Sequence, residues 1–181
     1  MLFQITSFLL DIAAGLFGGA CLLRMYMQYQ RVPFGNPVGR FVFALTDWLV
    51  LPLRKVIPSR GRVDVASLVG AYLIEVAQFG LLWLMVPGTP LSVLPLLALF
   101  GLVRLVISGA VGLTIVYVIL SWVNANSPMT DVIDRLAAPL LRPFRRMIPL
   151  VGGFDLSPLA LLIVLQVLAI IVANVQDALL R

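Results

Sequence analysis

From Pro158 to Gln176 the chain carries no charge and is apolar almost throughout. Stretches of this kind recur along the sequence, and a helix needs ~20 such residues to cross a bilayer. The composition agrees: 61% of residues are hydrophobic, 12% are charged, and the mean hydropathy is +1.08. A soluble domain averages about 45–50% apolar and about 25% charged residues. The chain therefore reads as an all-α membrane protein, and 181 residues leave room for four or five spans and little else.

The apolar stretches are organised by a motif that occurs twice. Its fuller copy is Leu141 to Pro158, Leu-Arg-Pro-Phe-Arg-Arg-Met-Ile-Pro-Leu-Val-Gly-Gly-Phe-Asp-Leu-Ser-Pro; the earlier copy starts at Leu51. At an offset of 91, Pro52 falls on Pro143, Arg54 on Arg145, Lys55 on Arg146, Pro58 on Pro149, Gly61 on Gly152 and Asp64 on Asp155, with Pro37 on Pro128 upstream. Matches at Pro, Gly, Arg and Asp carry more weight than matches among the abundant Leu and Val. The reading is two tandem units, residues 1–90 and 91–181.

Taken in order, the first span runs from about residue 5 to 26. No Lys or Arg precedes it, which argues against a cleaved leader. Gly18-Gly-Ala-Cys21 gives only a faint lipoprotein signal, for the same reason. Asp11 falls within a turn or two of the outer surface, as an interfacial carboxylate or as a functional one. A basic segment follows, with Asn36-Pro37 as a helix cap followed by proline at the first helical position. Apolar residues at Val38, Phe41, Val42, Leu45, Trp48 and Leu49 then give one apolar face over residues 36–58. This segment is too charged to span, so it is placed along the membrane surface, broken by Pro52 and Pro58.

The second span, about residues 66–86, opens at Asp64 or Ser67, either of which can cap it. Glu75 lies at its middle, where an ionisable group costs about 2.5–3.5 kcal/mol on insertion scales. The residue matched to it in the second unit is Gln166. This pair reads either as structural hydrogen bonding between helices or as part of an ion or proton site. After the turn Pro87-Gly88-Thr89-Pro90, Leu91 to Val123 is too long for one untilted span. The expectation is an interfacial or re-entrant piece over 91–102 and a third span over 105–122, with a long third helix that includes 91–102 as the open alternative. Arg104 then sits at the boundary, snorkelling or reaching Glu75, and Trp122 sits in an interfacial belt.

Ser127-Pro128 repeats the cap-then-proline signal. Residues 127–149 form a second amphipathic segment, expected as two short helices because Pro139 and Pro143 interrupt it. Asp155, Ser157 and Pro158 open the fourth span, about residues 157–178. Nearly every Lys and Arg lies in the two segments between the paired spans. The positive-inside rule then puts those segments in the cytoplasm and both termini outside, a parallel repeat.

The candidate contacts for anionic headgroups are Arg54, Lys55, Arg142, Arg145 and Arg146, worth about 1 kcal/mol per basic residue near the surface. Their alternative role is setting topology. Glu75, Arg104 and Gln166 are the candidate intramembrane polar set. Pro52, Pro58, Gly61, Asp64, Pro143, Pro149, Gly152, Gly153, Asp155, Ser157 and Pro158 are assigned to the motif's structure. The Gly152-Gly153 turn could face an anion, but Asp155 would repel it and a helix cap is the simpler account. Val69-Gly70-Ala71-Tyr72 falls short of a potassium filter and lies within a helical stretch. The chain has no histidine, which removes the commonest general base and metal ligand, and its one cysteine cannot form an intrachain disulfide. No enzyme, cofactor, metal or nucleic-acid site is expected.

The Leu141 to Pro158 motif, its earlier copy and the four-span layout resemble the YggT family of bacterial membrane proteins. The earlier copy departs from the pattern, with Ser59-Arg60-Gly61-Arg62 where the later one has Leu150-Val151-Gly152-Gly153. The resemblance implies the bacterial inner membrane. It also implies the phenotypes linked to that family: osmotic-shock tolerance, potassium uptake, and cell-division or envelope effects. Chloroplast relatives include one implicated in assembling cytochrome b6. The expected function is a non-enzymatic scaffold or assembly factor that meets anionic headgroups and other membrane proteins or itself. The alternative is an oligomeric channel or transporter for potassium or another ion.

Overall fold

The structure is a computed structural model that describes residues 1–58, 61–85, 90–123, 127–148 and 155–180. Its elements are α1 (Leu2–Tyr29), α2 (Pro37–Val56), α3 (Val65–Met85), α4 (Leu94–Val123), α5 (Pro128–Met147) and α6 (Ser157–Leu179), with one 3₁₀ turn at Leu91–Val93. No strand occurs among the described residues. Four helices, α1, α3, α4 with its leading turn, and α6, are long and apolar enough to cross a membrane.

The sequence dictates how the helices start and stop. Arg31 takes a left-handed φ of 55°, and the Val32 N–H then reaches back to the Met27 carbonyl at 2.9 Å. That closes α1 in a Schellman turn, whose expected apolar contact is made by Met27 and Val32 in one buried cluster. Asn36 accepts from Gly39 N at 2.9 Å to start α2, and Ser127 accepts from Thr130 N at 3.2 Å to start α5. Each cap is followed by a proline at the first helical position.

Three expectations are corrected. Residues 94–102 are neither re-entrant nor a separate interfacial piece: α4 is one helix of 30 residues. Pro95 stands at its first turn, where no intrahelical N–H is needed, and nothing between 102 and 105 breaks the ladder. A stretch longer than the bilayer is accommodated by tilt. Likewise α5 is one helix through Pro139 and Pro143, and α2 runs through Pro52 and stops only before Pro58. All three internal prolines are exposed, so the carbonyls they strand, on Trp48, Arg135 and Pro139, lie on outward faces.

α1 packs antiparallel on α3, with Asp11 beside Gln78 near one end and Cys21 beside Gly70 towards the other. α4 lies against α1 and α3, and α6 against α4. α2 covers the ends of α1 and α3, and α5 covers those of α4 and α6. α2 buries Val42, Thr46 and Val50, and α5 buries Val132, Ile133, Leu136, Ala137 and Leu141. The Tyr26 hydroxyl donates to the Leu136 carbonyl at 2.9 Å and ties α1 to α5.

Gly39 is where α2 meets its own lead-in segment: a Cβ there would stand 2.3 Å from the Phe34 carbonyl oxygen. The obstacle is backbone, which cannot swing aside. Gly39→Ala is expected to lower stability by about 1–3 kcal/mol. Gly109→Ala, where a Cβ meets nothing within 4 Å, should be neutral or slightly stabilising. Thermal unfolding in detergent followed by circular dichroism checks the contrast.

Candidate functional site

Polar chemistry collects where α2 crosses the ends of α1 and α3. Arg24, near the end of α1, is only 2% exposed. One of its terminal nitrogens donates to Thr46 Oγ1 and to Asp47 Oδ1, both at 2.7 Å. Its guanidinium carbon lies 4.7 Å from the centre of the Phe43 ring, and its Nε lies 3.9 Å from Asp64 Oδ2. Asp64 is fully buried. It accepts from Ser67 Oγ at 2.7 Å and from the Arg54 guanidinium, and it caps α3 through Ser67 N at 3.3 Å. Arg54 also reaches Gln28 Oε1 at 3.4 Å. Two arginines and two aspartates thus balance around a dry centre of Arg24 and Asp64, with the Arg54 and Asp47 side chains 33% and 43% exposed at its edge.

A smaller arrangement stands where α5 meets α4 and the start of α6. Arg145 Nε donates to Asp155 Oδ2 at 2.8 Å, and a terminal nitrogen of the same side chain donates to the Tyr117 hydroxyl at 2.5 Å. Asp155 Oδ1 accepts from Ser157 N at 2.9 Å. This pair is more open, with side chains 41% and 29% exposed.

Burial pushes the Asp64 carboxyl up, but hydrogen bonds from Arg54 and Ser67 and the charge of Arg54 outweigh it and hold the pKa below the usual aspartate value. Asp155 is held low in the same way: desolvation pushes it up, but hydrogen bonds from Ser157 and Arg145 and the charge of Arg145 together outweigh it.

The predicted basic contacts divide into two kinds. Arg54 and Arg145 are engaged by Asp64 and Asp155. Lys55, Arg142 and Arg146 are exposed and form no ion pair among the described residues. The intramembrane set is not brought together. Glu75 is buried against α4, where a Cβ on Gly101 would come 2.1 Å from its Oε2. Arg104 and Gln166 are exposed on α4 and α6. Arg104 and Asp11 act on Glu75 through charge, without an ion pair. The partner of Asp11 is Gln78, whose Nε2 donates to it at 2.5 Å. Of the motif residues, Pro149, Gly152 and Gly153 lie outside the described residues, as do Ser59, Arg60 and 87–89; Gly61 takes a left-handed φ of 88°. Among the described residues no three His, Cys, Asp or Glu side chains gather to hold a metal.

Sequence reasoning missed the hub role of Arg24, with Thr46 and Asp47, and the Asp11–Gln78 contact. The available signal was a single charge or amide inside an otherwise apolar run, which inside a membrane needs a partner.

Four apolar helices of spanning length, joined by shorter helices, define the class: a multi-pass helical membrane protein. The CCB3/YggT family profile matches residues 3–85 and again 96–176, and the chain belongs to that family. It is 38% identical to the YggT protein of Escherichia coli strain K12 over 178 residues, covering 95% of this chain and 91% of that one. A Vibrio alginolyticus protein of the proC 3′ region is 37% identical over 165 residues, covering 88% and 89%. A Haemophilus influenzae protein is 32% identical over 150 residues, covering 80% and 78%. No solved structure matches the chain.

The two ion pairs differ in what their loss should cost. Asp64→Asn leaves Arg24 and Arg54 without a buried counter-charge, a loss of about 3–5 kcal/mol. Asp155→Asn breaks a pair open to solvent and should cost about 1 kcal/mol or less. Equal destabilisation in denaturant melts would contradict this assignment.

The depressed carboxyls also set a pH dependence. A folded pKa below the unfolded one stabilises fully above the unfolded value, about 4 for Asp, and that contribution is lost as pH falls through the folded value. The melting midpoint in detergent should therefore hold steady down to about pH 5 and fall below about pH 4, less steeply in Asp64→Asn.

Proposed function

We propose that the chain is a non-enzymatic scaffold or assembly factor of the bacterial inner membrane. It is built as two tandem units, residues 1–90 and 91–181, whose amphipathic helices α2 and α5 lie on the cytoplasmic surface. The observation that carries this reading is the division among the cations. Arg54 and Arg145 pin the ends of α2 and α5 to the carboxylates that precede α3 and α6. The adjacent Lys55 and Arg146, with Arg142, are left exposed and unpaired among the described residues. Pinning fixes where the free cations stand, so anionic headgroups meet a preformed set. Two facts support the two-unit reading. Both pins span ten residues, and the family profile matches twice. The positive-inside rule supports the orientation. The resemblance to the YggT family supports a role in the osmotic and envelope-stress response, and on this reading a deletion strain should lose survival after an osmotic step.

Three cations at about 1 kcal/mol each amount to roughly a hundredfold preference for an anionic headgroup. The Lys55→Gln, Arg142→Gln, Arg146→Gln protein should lose most of its preference for phosphatidylglycerol over phosphatidylcholine, read by quenching with brominated lipids in vesicles. The wild-type preference should weaken with salt. An unchanged preference would sink the reading.

A second reading, an oligomeric channel or transporter for potassium or another ion, is favoured by two carboxylates on the packed helices α1 and α3, Asp11 and the buried Glu75. It requires potassium flux in vesicles that Glu75→Gln abolishes or retunes; flux absent from vesicles that hold folded protein removes it.

A further inference from the structure

We propose that two copies of the chain pair along α6, and that the Gln166 side chains complete one another across the pair. Gln166 is the tenth of the 23 residues of α6, near the middle of the span. It is exposed and has no hydrogen bond among the described residues. Asn174, the other amide facing outward on this helix, satisfies itself on the Ile170 carbonyl at 2.8 Å. Apolar side chains facing lipid need no partner, but an amide in hydrocarbon does.

α6 is also the least covered span: 11% of its apolar window is buried, against 22–33% for the other three. Leu159, Ile163, Gln166, Ile170 and Ala173 are all exposed and recur at intervals of four and three. That is the spacing of a helix–helix seam with one polar position, and Ala173 allows close approach. Asp177 continues the stripe only at the outer end of the helix, where water screens it.

The sequence offset says the same of this face. Glu75 and Phe79 stand 91 positions before Gln166 and Ile170. In α3 that face is covered: both side chains lie where a Cβ on Gly101 of α4 would be. In α6 it is bare.

The occupant is a second copy because the primary amide both donates and accepts, so identical groups across a two-fold axis satisfy each other reciprocally. Such an interface is isologous and closed, and copies inserted with one orientation meet in parallel. The polar position at mid-membrane is incomplete in a single copy.

The test uses the full chain in vesicles. Its one native cysteine, Cys21, is buried, so the unsubstituted protein is a silent background. Ile163→Cys and Ile170→Cys should each form a disulfide-linked dimer on mild oxidation, while Leu168→Cys, on the opposite side of α6, should not. Gln166→Leu should weaken dimerisation about three- to thirtyfold, measured by energy transfer between labelled copies as lipid dilutes the protein, and Gln166→Asn should retain part of it. Gln166 is exposed in one copy, so the unchanged melting of a dilute Gln166→Leu sample separates lost pairing from lost folding. Equal crosslinking at Leu168, or a Gln166→Leu protein that pairs as well as wild type, would overturn the proposal.

Discussion

Asp64 is a buried carboxylate on which three helices converge. Arg24 reaches it from α1, Arg54 from α2, and Ser67 from the first turn of α3 that it caps. In a bilayer the hydrophobic effect does not drive helices together, because lipid tails are as apolar as leucine. What fixes one span against another is close packing and polar contacts that have no better partner. Arg24 illustrates the second. Two of its contacts are on α2 and its Nε approaches the start of α3, so its burial is conditional on both helices being in place. The contacts are therefore interdependent: removing one partner strands a charge, which costs more than the pair contributes.

The first link, from sequence to helix, was legible because its signals are local. Asn36-Pro37 and Ser127-Pro128 fix two helix starts by cap chemistry alone, and the apolar runs mark the spans by length. What failed was the weight given to proline. Pro52, Pro139 and Pro143 were expected to break helices, yet each lies on an exposed face where the stranded carbonyl can be solvated. Exposure is a property of packing and is not visible in the residue. Long-range contacts are less legible for a similar reason. The sequence leaves Arg104 to snorkel or to reach Glu75, and leaves Glu75 and Gln166 as helix–helix hydrogen bonding or as part of an ion site. The structure puts Glu75 against Gly101, and Asp11, 67 positions before Gln78, becomes that amide's partner. Nothing local announces such a contact.

The two halves, read as units, share a frame and differ in what it holds. Leu22, Val50, Leu53 and Ile74 sit in or against one buried cluster, and Leu113, Leu141, Phe144 and Leu165, each 91 positions later, in or against another. The Arg–Asp pin occurs in both. The first half adds Arg24, Thr46 and Asp47, whose matches in the second half are Ile115, Ala137 and Ala138. The α2 end is thereby locked by a buried network, and the α5 end rests on one partly open pair. Selection for a surface that binds headgroups would act most freely on the second, where a change of charge leaves no buried partner behind.

The same comparison accounts for an apolar groove of about 420 Å³ between α1 and α4, closed on one side by Ile133 and Leu140 of α5. Gly18 and Gly109 are matched positions, each a notch in its helix. The first notch is filled: a Cβ on Gly18 would come 2.7 Å from Leu105 Cδ2. The second is empty, with nothing within 4 Å of a Cβ on Gly109, which lines the groove. The residue matched to Leu105 is Ala14, whose single methyl cannot reach as a leucine does. One large-to-small difference at a matched position thus leaves the α1–α4 contact tight on one side and open on the other. In water such a defect would cost stability in proportion to its volume. A groove that faces lipid can take up an acyl chain instead of standing empty, which would let the asymmetry persist at little cost.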